Sequence, residues 1–232
     1  MVELKNVDVF YKDSGVDALR DVNIRINDGE FVFIIGDSGA GKSTLLKLLT
    51  NELLPTNGRV FVNGYNLSKL KKRQIPKFRR SIGMVFQDFR LIPDMTVFEN
   101  VAFVLRIVDK SRRFIRRRVP EVLNLVRLAN RDKSYPSQLS GGERQRVGIA
   151  RAFATEPGII IADEPTGNID PKLSYEIVEL LFDINKCGTT VIMVTHEHDL
   201  VKYFGGRVIS LQNGEVIFDD YIASSGEISE EE

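Results

Sequence analysis

The chain of 232 residues has one cysteine, two histidines, no formal net charge and no apolar run of bilayer length. One cysteine cannot close an internal disulfide, and with two histidines it cannot complete a four-ligand structural zinc site, so a reduced compartment is the simplest expectation. Cys187 reads as a plain buried or half-buried thiol. The longest apolar stretches are Ile159 to Ala162 and Val191 to Val194, with Val101 to Val108 broken by Arg106. None approaches the ~20 residues that span a membrane, so any membrane role is expected through a partner. Met1 to Phe10 carries Glu3, Lys5 and Asp8 where a signal peptide needs an apolar core, so the chain is expected to stay inside the cell. The balance of 32 Lys plus Arg against 32 Asp plus Glu excludes a uniform polycation that coats nucleic acid. That balance conceals a segregation. Residues 69–118 hold 15 basic and 4 acidic residues, net +11, which leaves 17 against 28, net −11, for the rest. The dense clusters are Lys69 to Arg80 and Arg106 to Arg118, which suit a solvated face or attraction to anionic lipid.

What is present reads as an α/β chain. Val2 to Tyr11 and Ala18 to Ile26 suggest an N-terminal hairpin broken at Asp13-Ser14-Gly15. Phe31 to Ile35 is a continuous apolar run, the pattern of a parallel strand buried on both faces, and Met84 to Phe86, Ile159 to Ala162 and Val191 to Val194 repeat it. Helical patterns lie between these runs, over Lys42 to Leu54, Val97 to Val108, Arg116 to Leu128, Glu143 to Ala154 and Pro171 to Asn185. Such alternation predicts a mostly parallel sheet. Asn213-Gly214 between Val208 to Leu211 and Glu215 to Phe218 predicts a second hairpin. Residues from about 88 to 138 lack strand signals and read as a helical insertion in a single domain over 1–223. The acidic residues 224–232 are expected to form a flexible tail.

Gly36-Asp37-Ser38-Gly39-Ala40-Gly41-Lys42-Ser43-Thr44 contains the spacing G-x-x-x-x-G-K-[ST] between a buried strand and a helix. Small residues let backbone N–H groups close around phosphate oxygens, and the helix turns its positive end toward the same anion. Lys42 would reach the β and γ phosphates and Ser43 would ligate Mg²⁺. The alternative is a glycine-rich turn that only joins strand to helix. Downstream, the strand ending at Ala162 delivers Asp163 and Glu164 to the carboxyl edge of the sheet, where open α/β folds bind ligands. Asp163 suits a magnesium ligand acting through water, and Glu164 suits a base that polarises the attacking water. Beside no phosphate loop, the same pair would be an ordinary acidic turn before Pro165.

Leu139-Ser140-Gly141-Gly142-Glu143 reads first as a capping box, with Ser140 at the N-cap and Glu143 at the third helical position. It leaves unexplained two glycines in a first turn, each costing roughly 1 kcal/mol relative to alanine. With Arg144-Gln145-Arg146 behind it, this segment resembles the signature of ATP-binding cassette ATPases, whose other motifs occur in order. The resemblance implies that Tyr11 stacks on adenine and that Gln87 is the Q-loop glutamine, acting in catalysis and at the metal. It makes Gly167-Asn168-Ile169-Asp170 the D-loop, Asp170 a nucleotide-site residue and His196 the switch histidine. It also implies the fold: a phosphate-loop NTPase core, an N-terminal antiparallel β subdomain and an inserted α-helical subdomain. ATP and Mg²⁺ follow as cofactors. In that family two chains pair head to tail, so Ser140, Gly141 and Gly142 of one cover ATP on the phosphate loop of the other. His198, which makes an H-x-H pair with His196, has no third ligand cluster and reads as a solvated helix-start residue.

Ile75 to Ile92, Thr96 to Ala102 and Glu164-Pro165-Thr166-Gly167-Asn168 resemble the bacterial cell-division branch of the family, the FtsE-type ATPases. That resemblance implies a homodimer on ATP binding, an integral membrane partner of the FtsX type, control of cell-wall hydrolysis, and a peripheral location on the cytoplasmic face of the inner membrane. The partner contact is expected near Gln87 to Pro93 and Val97 to Val104. Exporters and lipoprotein-release ATPases share the Glu164 to Asn168 segment and form the alternative. A nucleic-acid-associated cassette ATPase is more remote, because only about a hundred residues separate Lys42 from Leu139, without a heptad array.

Overall fold

A computed structural model describes residues 1–226. Val2–Tyr11 (β1) and Val16–Ile26 (β2) form the expected hairpin. Asn57–Val62 (β4) pairs on the other side of β1 and Tyr65–Asn66 (β5) follows it, giving an antiparallel sheet in the order β2-β1-β4-β5. Sequence periodicity missed β4 and β5. Asn57-Gly58 looks like a turn, and pairing with β1 is what makes that segment a strand.

The second sheet contains Phe31–Ile35 (β3), Ile82–Val85 (β6), Ile159–Asp163 (β7), Thr190–Val194 (β8), Gly206–Gln212 (β9) and Glu215–Ile222 (β10), in the order β10-β9-β3-β8-β7-β6. Five strands are parallel and β10 closes one edge antiparallel to β9. Because side chains alternate along a strand, β3 feeds two cores. Phe33 packs with Val101, Val147, Val178 and Met193, whereas Val32 and Ile34 pack with Leu4, Val22, Leu45 and Phe78. The continuous apolar runs are thus buried on both faces, as the parallel sheet requires. Burying each such side chain contributes about 1.5–3 kcal/mol.

Lys42–Leu49 (α1) follows β3, and Ile75–Arg79 (α2) precedes β6. The insertion contains Val97–Ile107 (α3) and Arg112–Leu125 (α4), and leads into Gly141–Phe153 (α5). Pro171–Lys186 (α6) and His198–Phe204 (α7) complete the set. Helix α1 stops short of the expected Leu54 because Asn51 is left-handed (φ 53°) and the amides of Glu52 and Leu53 turn back onto the Lys47 carbonyl. Helix α4 starts a turn earlier than expected because Ser111 caps it, and ends before the left-handed Arg127. Its partner α3 opens on a capping box of Thr96 and Glu99.

Two expectations need correction. Cys187 is exposed, because it is the C-terminal cap of α6, with its Sγ donating to the Asp183 carbonyl at 3.4 Å. Val97 and Val101 are fully buried, because with Leu105 they form the stripe by which α3 packs on the core, so neither is available to a partner. At the chain end, Ser224 donates to the Tyr203 carbonyl and the Ser225 amide to the Lys202 carbonyl. The remainder of the expected tail lies outside the described residues.

Candidate active site

A cleft of about 1130 Å³ opens at the carboxyl ends of β3 and β8. Its floor is the loop between β3 and α1. Gly36 has φ 149°, and a Cβ there would stand 2.3 Å from the Leu211 carbonyl oxygen. Gly41 has φ 106°, and its Cβ would meet the Ala18 carbonyl oxygen at 2.7 Å. Any larger residue would push the loop off β2 and β9, so glycine is required here by both conformation and space. Lys42 is buried, with Nζ donating to the carbonyls of Gly36 and Asp37, which folds the ammonium over the loop it belongs to. Ser43 is exposed at the first turn of α1, and buried Thr44 lies 3.3 Å from the Tyr11 hydroxyl. All residues from Gly36 to Thr44 line the cleft, together with Tyr11, Glu164 and His196.

The acidic pair is held by the sheet. Asp163 ends β7 beside Val194 of β8. Burial pushes its carboxyl above the usual range and the Glu164 charge adds to that, while Arg90 and Lys42 pull the other way. Glu164 is left-handed (φ 43°), and its amide donates to the Val194 carbonyl at 2.9 Å. This bend turns its side chain toward the end of β8, where Oε1 lies 3.3 Å from His196 Nδ1. His198 opens α7, exposed, and no group of three or more His, Cys, Asp or Glu residues among the described residues could hold a metal.

The remaining motif residues gather elsewhere. Ser140 caps α5 through the expected reciprocal bonds: its Oγ accepts from the Glu143 amide at 3.2 Å, and its own amide donates to Glu143 Oε2 at 2.9 Å. The Ser140 amide holds the Glu143 carboxyl below its ordinary range, and Arg131, 3.0 Å away, contributes. A Cβ on Gly141 would lie 3.4 Å from the Asn168 carbonyl oxygen, so the bare helix start borders the segment before α6. Asp170 caps α6 by accepting from the Lys172 amide at 2.9 Å, with Pro171 at the first helical position. Gln87 is exposed beyond β6, its carbonyl bonded to Asn168 Nδ2 at 3.0 Å. Gln87, Ser140, Gly141, Gly142 and Asp170 do not line the cleft. Asp163 is not among the cleft-lining residues either. One chain therefore presents two half-sites, a phosphate loop with Glu164 and His196, and a separate signature edge.

This order of motifs on this fold has a counterpart among known proteins. A family model described as "ABC transporter" matches residues 19–167. The chain belongs to that family. This ABC ATPase is 47% identical over 220 residues to the cell division ATP-binding protein FtsE of Bacillus subtilis, covering 95% of this chain and 96% of the relative. The FtsE of Mycobacterium tuberculosis is 49% identical over 220 residues, with the same coverage. A solved dimer of the ATP-binding cassette MJ0796 in a post-hydrolysis state, bound to ADP and Pi, matches with a TM-score of 0.85 at 41% identity, over 97% of this chain and 100% of that one.

Sequence reading missed part of the cleft wall of this ABC domain. Ser14, Asp17, Arg20 and Asn213 also line it. Asp13-Ser14-Gly15, close to Tyr11 in a hairpin, was the available signal for the first of these. Asn213 had none. Its turn reaches the loop because the Gly214 amide donates to the Ala40 carbonyl and the Arg20 amide to the Gly214 carbonyl.

Proposed function

We propose that this chain is the ATP-hydrolysing subunit of a bacterial cell-division complex, working as a homodimer on an integral membrane partner of the FtsX type at the cytoplasmic face of the inner membrane. Motion of that partner would control cell-wall hydrolases. The similarity to FtsE proteins along nearly the whole chain supports the cellular role. The observation that carries the dimer is the separation of the two half-sites. Among the described residues Ser140, Gly141 and Gly142 do not line the cleft, and a second copy arranged head to tail would supply them.

Within that dimer, Lys42 and the loop amides would hold the β and γ phosphates, and Tyr11 would stack on adenine. Ser43 and Asp163 would hold Mg²⁺, with Gln87 reaching it once the site closes. One hydroxyl and one carboxylate suit a cation that takes its other ligands from phosphate and water, and bound there it supplies charge neutralisation. Glu164 accepts the proton of the attacking water, and His196, 3.3 Å from its carboxylate, orients it toward the γ phosphate. Ser140 Oγ already accepts from the Glu143 amide, so its proton is free for a phosphate oxygen of the partner copy's nucleotide.

The surface for the membrane partner is a groove of about 610 Å³ among α2, β6, α3 and α5, floored by Met84, Phe103, Val104 and Ile107 and edged by Arg79, Arg80, Arg90 and Arg151. Arg151 donates to the carbonyls of Phe89 and Arg90, two consecutive left-handed residues, which ties the groove edge to the segment just after Gln87. The decisive test is Glu164→Gln. ATP binding should persist and the dimer should accumulate with bound nucleotide, while turnover falls by about 10²- to 10⁴-fold. Normal hydrolysis by that variant would remove Glu164 from the role of base.

A further inference from the structure

We propose that the two basic segments on either side of the groove bind the anionic headgroups of a lipid bilayer directly, without a protein intermediary. The first runs from Lys69 through α2. Lys71, Lys72, Arg73 and Lys77 are all exposed, and among the described residues none of them makes an ion pair. The second runs from Arg106 into α4, where Lys110, Arg112, Arg113 and Arg116 are likewise exposed and unpaired. Elsewhere in the molecule some less exposed cations are matched by acids, as Arg146 is by Glu176 and Arg207 by Glu30 and Asp219. A face that served solubility alone would intersperse both signs.

Three observations favour a bilayer as the occupant. The segments are separated in sequence, yet Pro76, Arg79 and Arg80 of the first and Ile107 and Val108 beside the second line one groove, so the two segments border a common surface. The opposite charge lies elsewhere in the sequence, net −11 outside residues 69–118, so the cations are concentrated in these segments, as attraction to an anionic surface needs. The third lies in α4. Arg112, Arg113, Arg116 and Arg117 crowd its first two turns, with no acidic residue in the first turn. The N-terminal end of a helix is the positive end of its dipole, so cations there oppose folding. Anions outside the protein would relieve that opposition. The proposal does not depend on the membrane-partner reading, since it requires no partner.

The test uses the full chain and flotation with vesicles of phosphatidylcholine and phosphatidylglycerol at roughly 70:30, with pure phosphatidylcholine as the neutral control. The chain should float with the anionic vesicles at ~50 mM salt, stay behind with the neutral ones, and release at ~500 mM, where screening shortens the field to a few ångströms. The triple variants Lys72→Ala/Arg73→Ala/Lys77→Ala and Arg112→Ala/Arg113→Ala/Arg116→Ala should each weaken vesicle partition about a hundredfold, from the known contribution per cation near such a surface. ATP hydrolysis of both variants should equal that of the parent. No flotation at low salt, or flotation of both variants equal to that of the parent, would overturn the proposal. So would retention on a short DNA duplex with no vesicle binding at the same salt, because the patch would then serve nucleic acid. A chain that floats but fails to hydrolyse ATP would sink the enzymatic reading and leave this one standing.

Discussion

Replacing Gly167 by alanine places one methyl group where the Gln87 side chain already lies. The new Cβ would stand 2.7 Å from Gln87 Nε2 and 3.3 Å from its Cδ, inside the ordinary contact range that begins at 3.4 Å. The backbone at Gly167 is not left-handed, so alanine adopts it without strain, and the crowded atoms belong to a flexible side chain. Relief therefore comes from moving the Gln87 amide by about 0.7 Å, while the Asn168 amide still holds the Gln87 carbonyl. If Gln87 has the proposed role at the closed site, misplacement on this scale costs up to about a hundredfold in rate. Steady-state ATPase assays should show kcat reduced about ten- to a hundredfold with the KM for ATP within about twofold, and thermal denaturation should show Tm unchanged within about 2 °C. The control is the same substitution in a Gln87→Ala background, where the methyl meets nothing and should have no further effect. An unchanged kcat in the single variant, or an equal loss in both backgrounds, would refute the reasoning.

Asn100 is fully buried in α3; its Oδ1 accepts from the Ile92 amide, and its Nδ2 donates to the carbonyls of Ile92, Met95 and Thr96 at 2.9–3.1 Å. Asn100→Ala leaves the Ile92 amide and up to three carbonyls without their partner, a loss of about 3 kcal/mol that calorimetry should record as a Tm lower by about 10 °C. A shift under about 3 °C would mean that water replaces the side chain. Ile107 is 45% exposed on the groove floor, so Ile107→Glu should fold and bind ATP normally yet lose co-purification with the proposed membrane partner. Undiminished co-purification would place the contact elsewhere.

The local chemistry of this protein was legible in the sequence wherever one short segment carries it. Phe31 to Ile35 followed by Gly36 to Thr44 specifies a buried strand, a phosphate loop and a helix start, because each element has a strong local pattern. Ser140 with Glu143 specifies its capping box for the same reason, as does Asp170 with Pro171. Tertiary structure decided the rest. β4 is a strand because β1 offers it a partner, and Asn213 reaches the cleft because the Gly214 turn bonds to Ala40. Val101 and Cys187 exchanged their expected surroundings, since apolar periodicity shows which face of a helix is buried only once its neighbours are in place, and a cysteine's exposure follows from where its helix ends. The two basic clusters were plain as composition, but only the fold sets them on opposite sides of one groove. The cleft and the signature edge likewise became separate half-sites only when the sheet and α5 fixed their positions. Covalent order cannot encode such distances, because they arise from the packing of segments remote in the chain.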